Sequence, residues 1–213
     1  PNRSFFQNLA AGFVYTYQHP MLMAMVLLAV GHCSLTMSYE SMLPAISQEK
    51  LGAGSAGFSY LLAGVGAGAL VSSVFLAGIR NESTRGRVFL FFALTSGLGP
   101  IALALSTNRE LSIAATVFMG VNQAGFMTIT HAIIQSIVPD EIRGRISGVY
   151  SVHVGGSMAL ANLTNGSLSD LLNAPLVMAA GGIIFIVLIA SSVGLSPLRR
   201  IYFPRAAVTH SLT

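Results

Sequence analysis

The sequence predicts an all-α fold, a polytopic membrane protein built as a bundle of six transmembrane helices. Three observations predict it. Hydrophobic residues make up 53% of the 213 residues and charged residues only 8%, with a mean hydropathy of +0.71, whereas a soluble domain carries about 25% charged residues. The apolar stretches are too long for strands, and the charges fall between them, as they must where the solvent is a bilayer. Once the stretches are laid antiparallel, the basic residues gather at one end.

The elements follow in order. In Ser4 to His19, Phe5, Phe6, Leu9, Phe13, Val14 and Tyr17 recur near helical spacing, so residues 1–19 read as an amphipathic lead-in helix at the interface. Pro20 then suits the first position of a helix. The expected spans are Met21–Ile46, Ala56–Ile79, Val88–Leu105, Leu111–Val138, Ile146–Leu172 and Pro175–Leu195. Each is near or above the roughly 20 residues that cross the hydrocarbon core. Residues 20–198 thus form one transmembrane domain, followed by a basic tail, 199–213. The connections are short and rich in turn residues, as in Leu51-Gly52-Ala53-Gly54-Ser55 and Asn173-Ala174-Pro175, so consecutive helices are antiparallel neighbours.

Charge sets the orientation. Arg3, Arg80, Arg85, Arg87, Arg143, Arg145, Arg199, Arg200 and Arg205 fall on the side of both termini, and only Lys50 and Arg109 fall on the other. This bias puts both termini in the cytoplasm. The formal net charge of +4 is therefore read as loop arginines meeting anionic lipid, with no nucleic acid as partner. Cys33 is the only cysteine, which excludes an intrachain disulfide and a two-thiol metal site. Pro1 to Pro20 shows no cleavable signal peptide. A start at Pro1 suggests a trimmed chain or a fragment.

Small residues crowd the second span, where Gly64 and Gly68 form a GxxxG among Gly57, Gly66, Ala63 and Ala67. The fifth span carries Gly155, Gly156 and Ala159. Such faces let helix backbones approach closely in lipid.

Between the fourth and fifth spans the chain reads Val138-Pro139-Asp140-Glu141-Ile142-Arg143-Gly144-Arg145. This resembles the P-x-E-x-R-G-R loop of the major facilitator superfamily, and more narrowly the exporters of the enterobactin and macrolide-efflux type. The rest agrees in order. His19-Pro20 looks like the approach to helix seven of that family, Leu43-Pro44-Ala45 with Leu51-Gly52-Ala53-Gly54 like its exit, and Arg80 to Arg87 like the basic loop between helices eight and nine. The resemblance covers nearly all of the chain. It implies the second six-helix half of a twelve-helix fold, in a bacterial inner membrane. The best-known motif of the first half is absent. A degenerate copy keeps Gly78 and Arg80, with Arg85 and Arg87 following.

Ionisable groups at membrane depth are costly and so are candidates for function. In the first span His32, Thr36, Tyr39 and Glu40 fall at offsets of 0, 4, 7 and 8, one face of a regular helix. His32 and Glu40 could together carry a proton, because histidine titrates near neutral pH and a desolvated glutamate can be raised towards it. In the fourth span Gln123, Met127, Thr130, His131 and Gln135 share a face, with Asn122 close by. Amides, a thioether and a histidine suit a moderately apolar organic substrate. The resemblance implies that these two spans line the central cavity. His32, Glu40, Gln123 and His131 are the expected substrate or proton pathway. In the fifth span His153, Ser157 and Thr164 share one face, and Met158, Asn162, Asn165 and Ser169 another, both expected to meet neighbouring helices. Asp140, Glu141, Arg143 and Arg145 stand at a helix entrance, where acids complement the dipole and arginines can pair with acids or lipid phosphate. They are expected to form a cytoplasmic gate that latches helix ends.

No enzyme is expected. Ser157 follows Gly155-Gly156, but Met158 breaks the Gly-x-Ser-Gly of intramembrane serine proteases, and no phosphate-binding glycine loop is present. No cofactor or metal is implied. The expected activity is export of a small organic molecule by alternating access, driven by protons. The expected partners are that small molecule, membrane lipids, and a missing N-terminal half, a second copy or other membrane subunits. The alternative is a half that has lost transport and serves as a structural or assembly subunit of a larger membrane complex.

Overall fold

The structure, a computed structural model, describes residues 5–52, 54–79 and 81–203. Arg3, Arg80 and Arg205 of the charge pattern, Ala53 of the loop, and most of the tail at 199–213 lie outside the described residues. All regular structure among those described is helical. The helices are α1 (Phe5–Gln18), α2 (Pro20–His32), α3 (Leu43–Leu51), α4 (Gly54–Leu76), α5 (Glu82–Ser96), α6 (Leu98–Leu105), α7 (Arg109–Ile137), α8 (Arg143–Leu172), α9 (Ala174–Ser192) and α10 (Ser196–Tyr202). A π-helical segment, Cys33–Met37, prolongs α2, and a 3₁₀ turn, Asp140–Ile142, leads into α8.

The boundaries have local causes. Pro20 starts α2, where a missing N–H costs nothing. Gly52 ends α3 in the left-handed region, φ 58°. Asn108 caps α7 by accepting from the Leu111 amide at 2.9 Å. Asn173 caps α9 through the Leu176 amide at 2.9 Å while holding φ 96° and ψ 146°, outside the left-handed helical region and costly for any residue but glycine.

Five stretches are long and apolar enough to cross a membrane: Pro20–Met37, Ser55–Leu76, Thr84–Leu105, Arg109–Ile137 and Ala174–Ser192. Two expectations need correction. The first span does not run from Met21 to Ile46. It stops at Met37, and a turn and the short α3 follow. The stretch Thr84–Leu105 is longer than expected and is made of two helices. They join at Gly97, two residues before the Gly99-Pro100 pair, where proline removes a ladder donor. The fifth expected span corresponds to α8. It is 30 residues, about 45 Å at 1.5 Å per residue, but with His153, Asn162, Asn165 and Asp170 it is too polar to join the five.

The bundle has two apolar cores inside and an oily surface outside. One core gathers Met25, Phe89, Phe126, Phe185 and Tyr202 from α2, α5, α7, α9 and α10. A second, nearer the opposite end, holds Leu43, Ile46, Leu61, Leu103 and Met119. Outside, Leu70, Val74, Phe91, Leu160, Leu171 and Val187 stand exposed, the surface a lipid solvent selects. The expected tail at 199–213 begins inside α10, which is docked. Tyr202 is fully buried, stacks on Phe89 at 5.8 Å and shares a 2.7 Å hydrogen bond with the Ser192 hydroxyl. Burial pushes its phenol above the ordinary value, while that hydrogen bond acts in the opposite direction.

A close backbone approach joins α4 to α7. A Cβ at Gly68 would strike the Val117 carbonyl, one at Gly120 the Val65 carbonyl, and one at Gly64 the Thr116 hydroxyl. The GxxxG is therefore a packing seam, as its spacing allows. Gly120→Val is expected to lower the thermal unfolding temperature in detergent by several degrees, because overpacking costs about 1–3 kcal/mol. Gly66→Ala should not lower it, since nothing lies within 4 Å of that position.

Candidate functional site

The π segment organises the polar interior. Its carbonyls leave the regular ladder and need other donors, because no water is available in the hydrocarbon core. The Thr36 carbonyl accepts from Gln123 Nε2 of α7 at 2.8 Å, and Gln123 Oε1 accepts from the Tyr39 hydroxyl at 3.2 Å. The Ser34 carbonyl accepts from Asn165 Nδ2 of α8 at 3.2 Å and from the Ser38 hydroxyl at 2.5 Å. Asn165 also donates to Ser38 Oγ at 2.5 Å. Beside this knot lies a cavity of about 230 Å³, lined by Ser34, Thr36, Ser38, Tyr39, Asn165 and Gly181 among others.

His32 sits one turn earlier. It is fully buried, its Nε2 is 2.6 Å from the Ser96 hydroxyl, and its ring stacks on Phe126 at 4.1 Å and meets the edge of Phe185 at 5.2 Å. Glu40 is exposed on the turn after the π segment. The two therefore do not share the regular helical face that their spacing suggested. The π turn and the turn after it change the angular register between them.

The α7 face also divides. Gln123 and Thr130 are buried, while His131 is exposed. Gln135 Nε2 lies 3.2 Å from His131 Nε2 and 2.6 Å from the Ser147 hydroxyl of α8. An amide nitrogen only donates, so His131 Nε2 is the acceptor. The ring meets Tyr150 edge-on at 5.6 Å, and the Tyr150 hydroxyl points at the Met127 sulfur at 3.8 Å. Thr128, exposed three residues before His131, continues the same strip.

The loop cluster is local. Asp140 Oδ1 and Arg143 Nη2 form an ion pair at 2.5 Å, and the same guanidinium nitrogen reaches the Val138 carbonyl at 3.4 Å. Glu141 is exposed and Arg145 half-buried. The pair therefore staples the turn between α7 and α8. Across it lies α1, whose Gly12 fits against the Arg145 carbonyl and Val149, and whose Tyr17 hydroxyl bonds His153 Nε2 at 2.9 Å.

An all-helical chain with several membrane-length apolar helices and polar groups between them has the build of a transporter. Residues 1–201 match the family described as transmembrane secretion effector. The chain belongs to that family. It is a multi-pass membrane protein of the major facilitator type, a family of transporters rather than enzymes. No curated protein and no solved structure matches it.

In this chain, sequence reasoning missed Ser96, which holds His32, and Ser147, which joins Gln135, whereas Asn165, expected to meet a neighbouring helix, holds the π segment. Asn165 had a visible signal, as a polar residue deep in a membrane-length helix. Ser96 had none, because serines at helix joints are common and only the fold sets this one against His32. Among the described residues no group of three or more His, Cys, Asp or Glu could hold a metal ion. Gln123→Leu strands the buried Thr36 carbonyl and is expected to cost about 1–3 kcal/mol in detergent unfolding. Tyr39→Phe leaves that carbonyl paired but removes the 3.2 Å donor to the buried Gln123 Oε1, so it should cost less than Gln123→Leu while still costing about 1 kcal/mol.

Proposed function

We propose that this chain forms a six-span half of a secondary transporter. It exports a small organic molecule from a bacterial inner membrane by alternating access coupled to protons, with both termini cytoplasmic. In this reading α8 is the sixth span, and its polar residues are sheltered by α1, the π segment and a second six-helix body. That body is an N-terminal half or another copy. Supporting it, Cβ atoms added at Gly148, Gly155 and Gly156 of α8 would meet nothing within 4 Å, so this small-residue face has room for a helix.

One observation carries the reading. Thr128 and His131 stand exposed, with Gln135 half-buried beside Ser147, within a helix otherwise apolar enough to span a membrane. Polar groups at that depth are costly against lipid, so they belong to a water-filled or protein-covered surface. Histidine is the side chain suited to exchange a proton near neutral pH. His131 is therefore the proposed proton and substrate contact. Gln123 and His32 shape the pathway from within the bundle, and Glu40 stands at its outer mouth. Asp140, Glu141, Arg143 and Arg145 set the α7–α8 turn, which must flex as the gate opens.

In inverted vesicles with an imposed pH gradient, the protein should drive uptake of an organic dye such as ethidium. His131→Ala should lower the rate at least tenfold at unchanged membrane abundance, and an unchanged rate would sink the assignment. Arg143→Ala should slow uptake several-fold while costing no more than about 1 kcal/mol of stability, since an exposed ion pair contributes little. A loss of protein without a change in rate per molecule would make the pair structural only.

A further inference from the structure

At the arginine-rich end, a groove lies between α2, α9 and the start of α10. Its walls are Ala24, Leu27 and Leu28 on one side and Leu188 and Ser191 on the other, with Leu195 at its foot. It encloses about 360 Å³, the size of a small ligand site. Its polarity is low, since the Ser191 hydroxyl is already donated to the Val187 carbonyl at 2.8 Å. The floor is held in place. Leu198 and Tyr202 are buried, and Gly86 of α5 packs directly on the Ile201 backbone.

Two arginines stand at the foot of the groove. The Arg199 amide bonds the Leu195 carbonyl at 2.9 Å, which puts Arg199 one helical turn beyond Leu195 on the same face. Arg200 follows, and both are exposed. The Gly86 contact brings Arg85 and Arg87 alongside. None of the four forms an ion pair with another described side chain. An apolar slot lying along the span and ending at guanidinium groups that form no ion pair among the described residues fits a molecule with a hydrocarbon tail and an anionic phosphate head. Guanidinium groups bind phosphate through paired hydrogen bonds.

We propose that this groove is a binding site for one anionic phospholipid, with an acyl chain between α2 and α9 and its phosphate on Arg199 and Arg200. A free phosphate has no use for the groove, and a zwitterionic lipid has less use for the arginines. A lipid seated there bridges the first span, the last span and the docked α10. Its occupancy would tie the position of α10 to membrane composition.

The test is native mass spectrometry of the full protein in detergent with equal dioleoyl phosphatidylglycerol and dioleoyl phosphatidylcholine. The wild type should retain one phosphatidylglycerol at least fivefold over phosphatidylcholine, and excess inorganic phosphate should not displace it. Arg199→Gln with Arg200→Gln should bring the ratio close to one. Leu27→Trp, at an exposed position and so compatible with folding, should fill the groove and abolish retention with all arginines in place. Equal retention of both lipids by the wild type overturns the proposal. So does undiminished retention in the Leu27→Trp protein, which would reduce the site to a headgroup contact. Displacement by phosphate would assign the arginines to a soluble anion instead.

Discussion

The hydrogen bond from Gln123 to the Thr36 carbonyl is the contact on which the interior depends. In lipid a freed carbonyl has no water to fall back on, so the first span can leave its regular ladder only where another helix supplies a donor. Gln123 does so from α7 and Asn165 from α8. The irregular segment is therefore possible only when α2, α7 and α8 are assembled, and its presence fixes how they meet. The turn and α3 that follow take their direction from it.

The same helix, α7, sets the rest of the bundle. Its Gly120 lets α4 touch backbone to backbone, its Gly125 receives the Phe92 ring of α5, and its Met119 fills the space against Gly99 of α6. Its Phe126 supports the His32 ring. Small and large residues alternate around it according to which neighbour each one faces. Thr128 and His131 stand exposed on this helix, polar groups on a surface that elsewhere exposes Leu111, Phe118 and Ile137.

A second theme is the treatment of charge. The ion pair Asp140–Arg143 closes on itself within one turn. Arg109 lies over the Tyr60 ring at 4.3 Å, and Lys50 donates to the Ala104 carbonyl at 3.1 Å. The arginines near α10 keep no such partner among the described side chains. Basic residues at a headgroup region attract anionic lipid, the complement proposed for these arginines.

Composition and periodicity by themselves determined that the chain is a helical membrane protein, where most of its helices lie, and that glycines at 64 and 68 form a contact face. These properties follow from the solvent and from local spacing, which any residue sequence carries openly. The Arg-Gly-Arg loop carries the resemblance to the superfamily in a few consecutive residues. Tertiary structure alone decided that His32 and Glu40 part company, that His32 belongs to Ser96 and Phe126, and that α10, where the expected tail begins, docks through Leu198 and Tyr202. The reason is physical. A regular helix was assumed from the spacing, while the π turn exists only because distant amides on α7 and α8 satisfy its carbonyls. Likewise Tyr202 is placed by the space that α5 and α9 leave for it. Such long-range conditions are met in the folded bundle and leave no periodic trace in the chain.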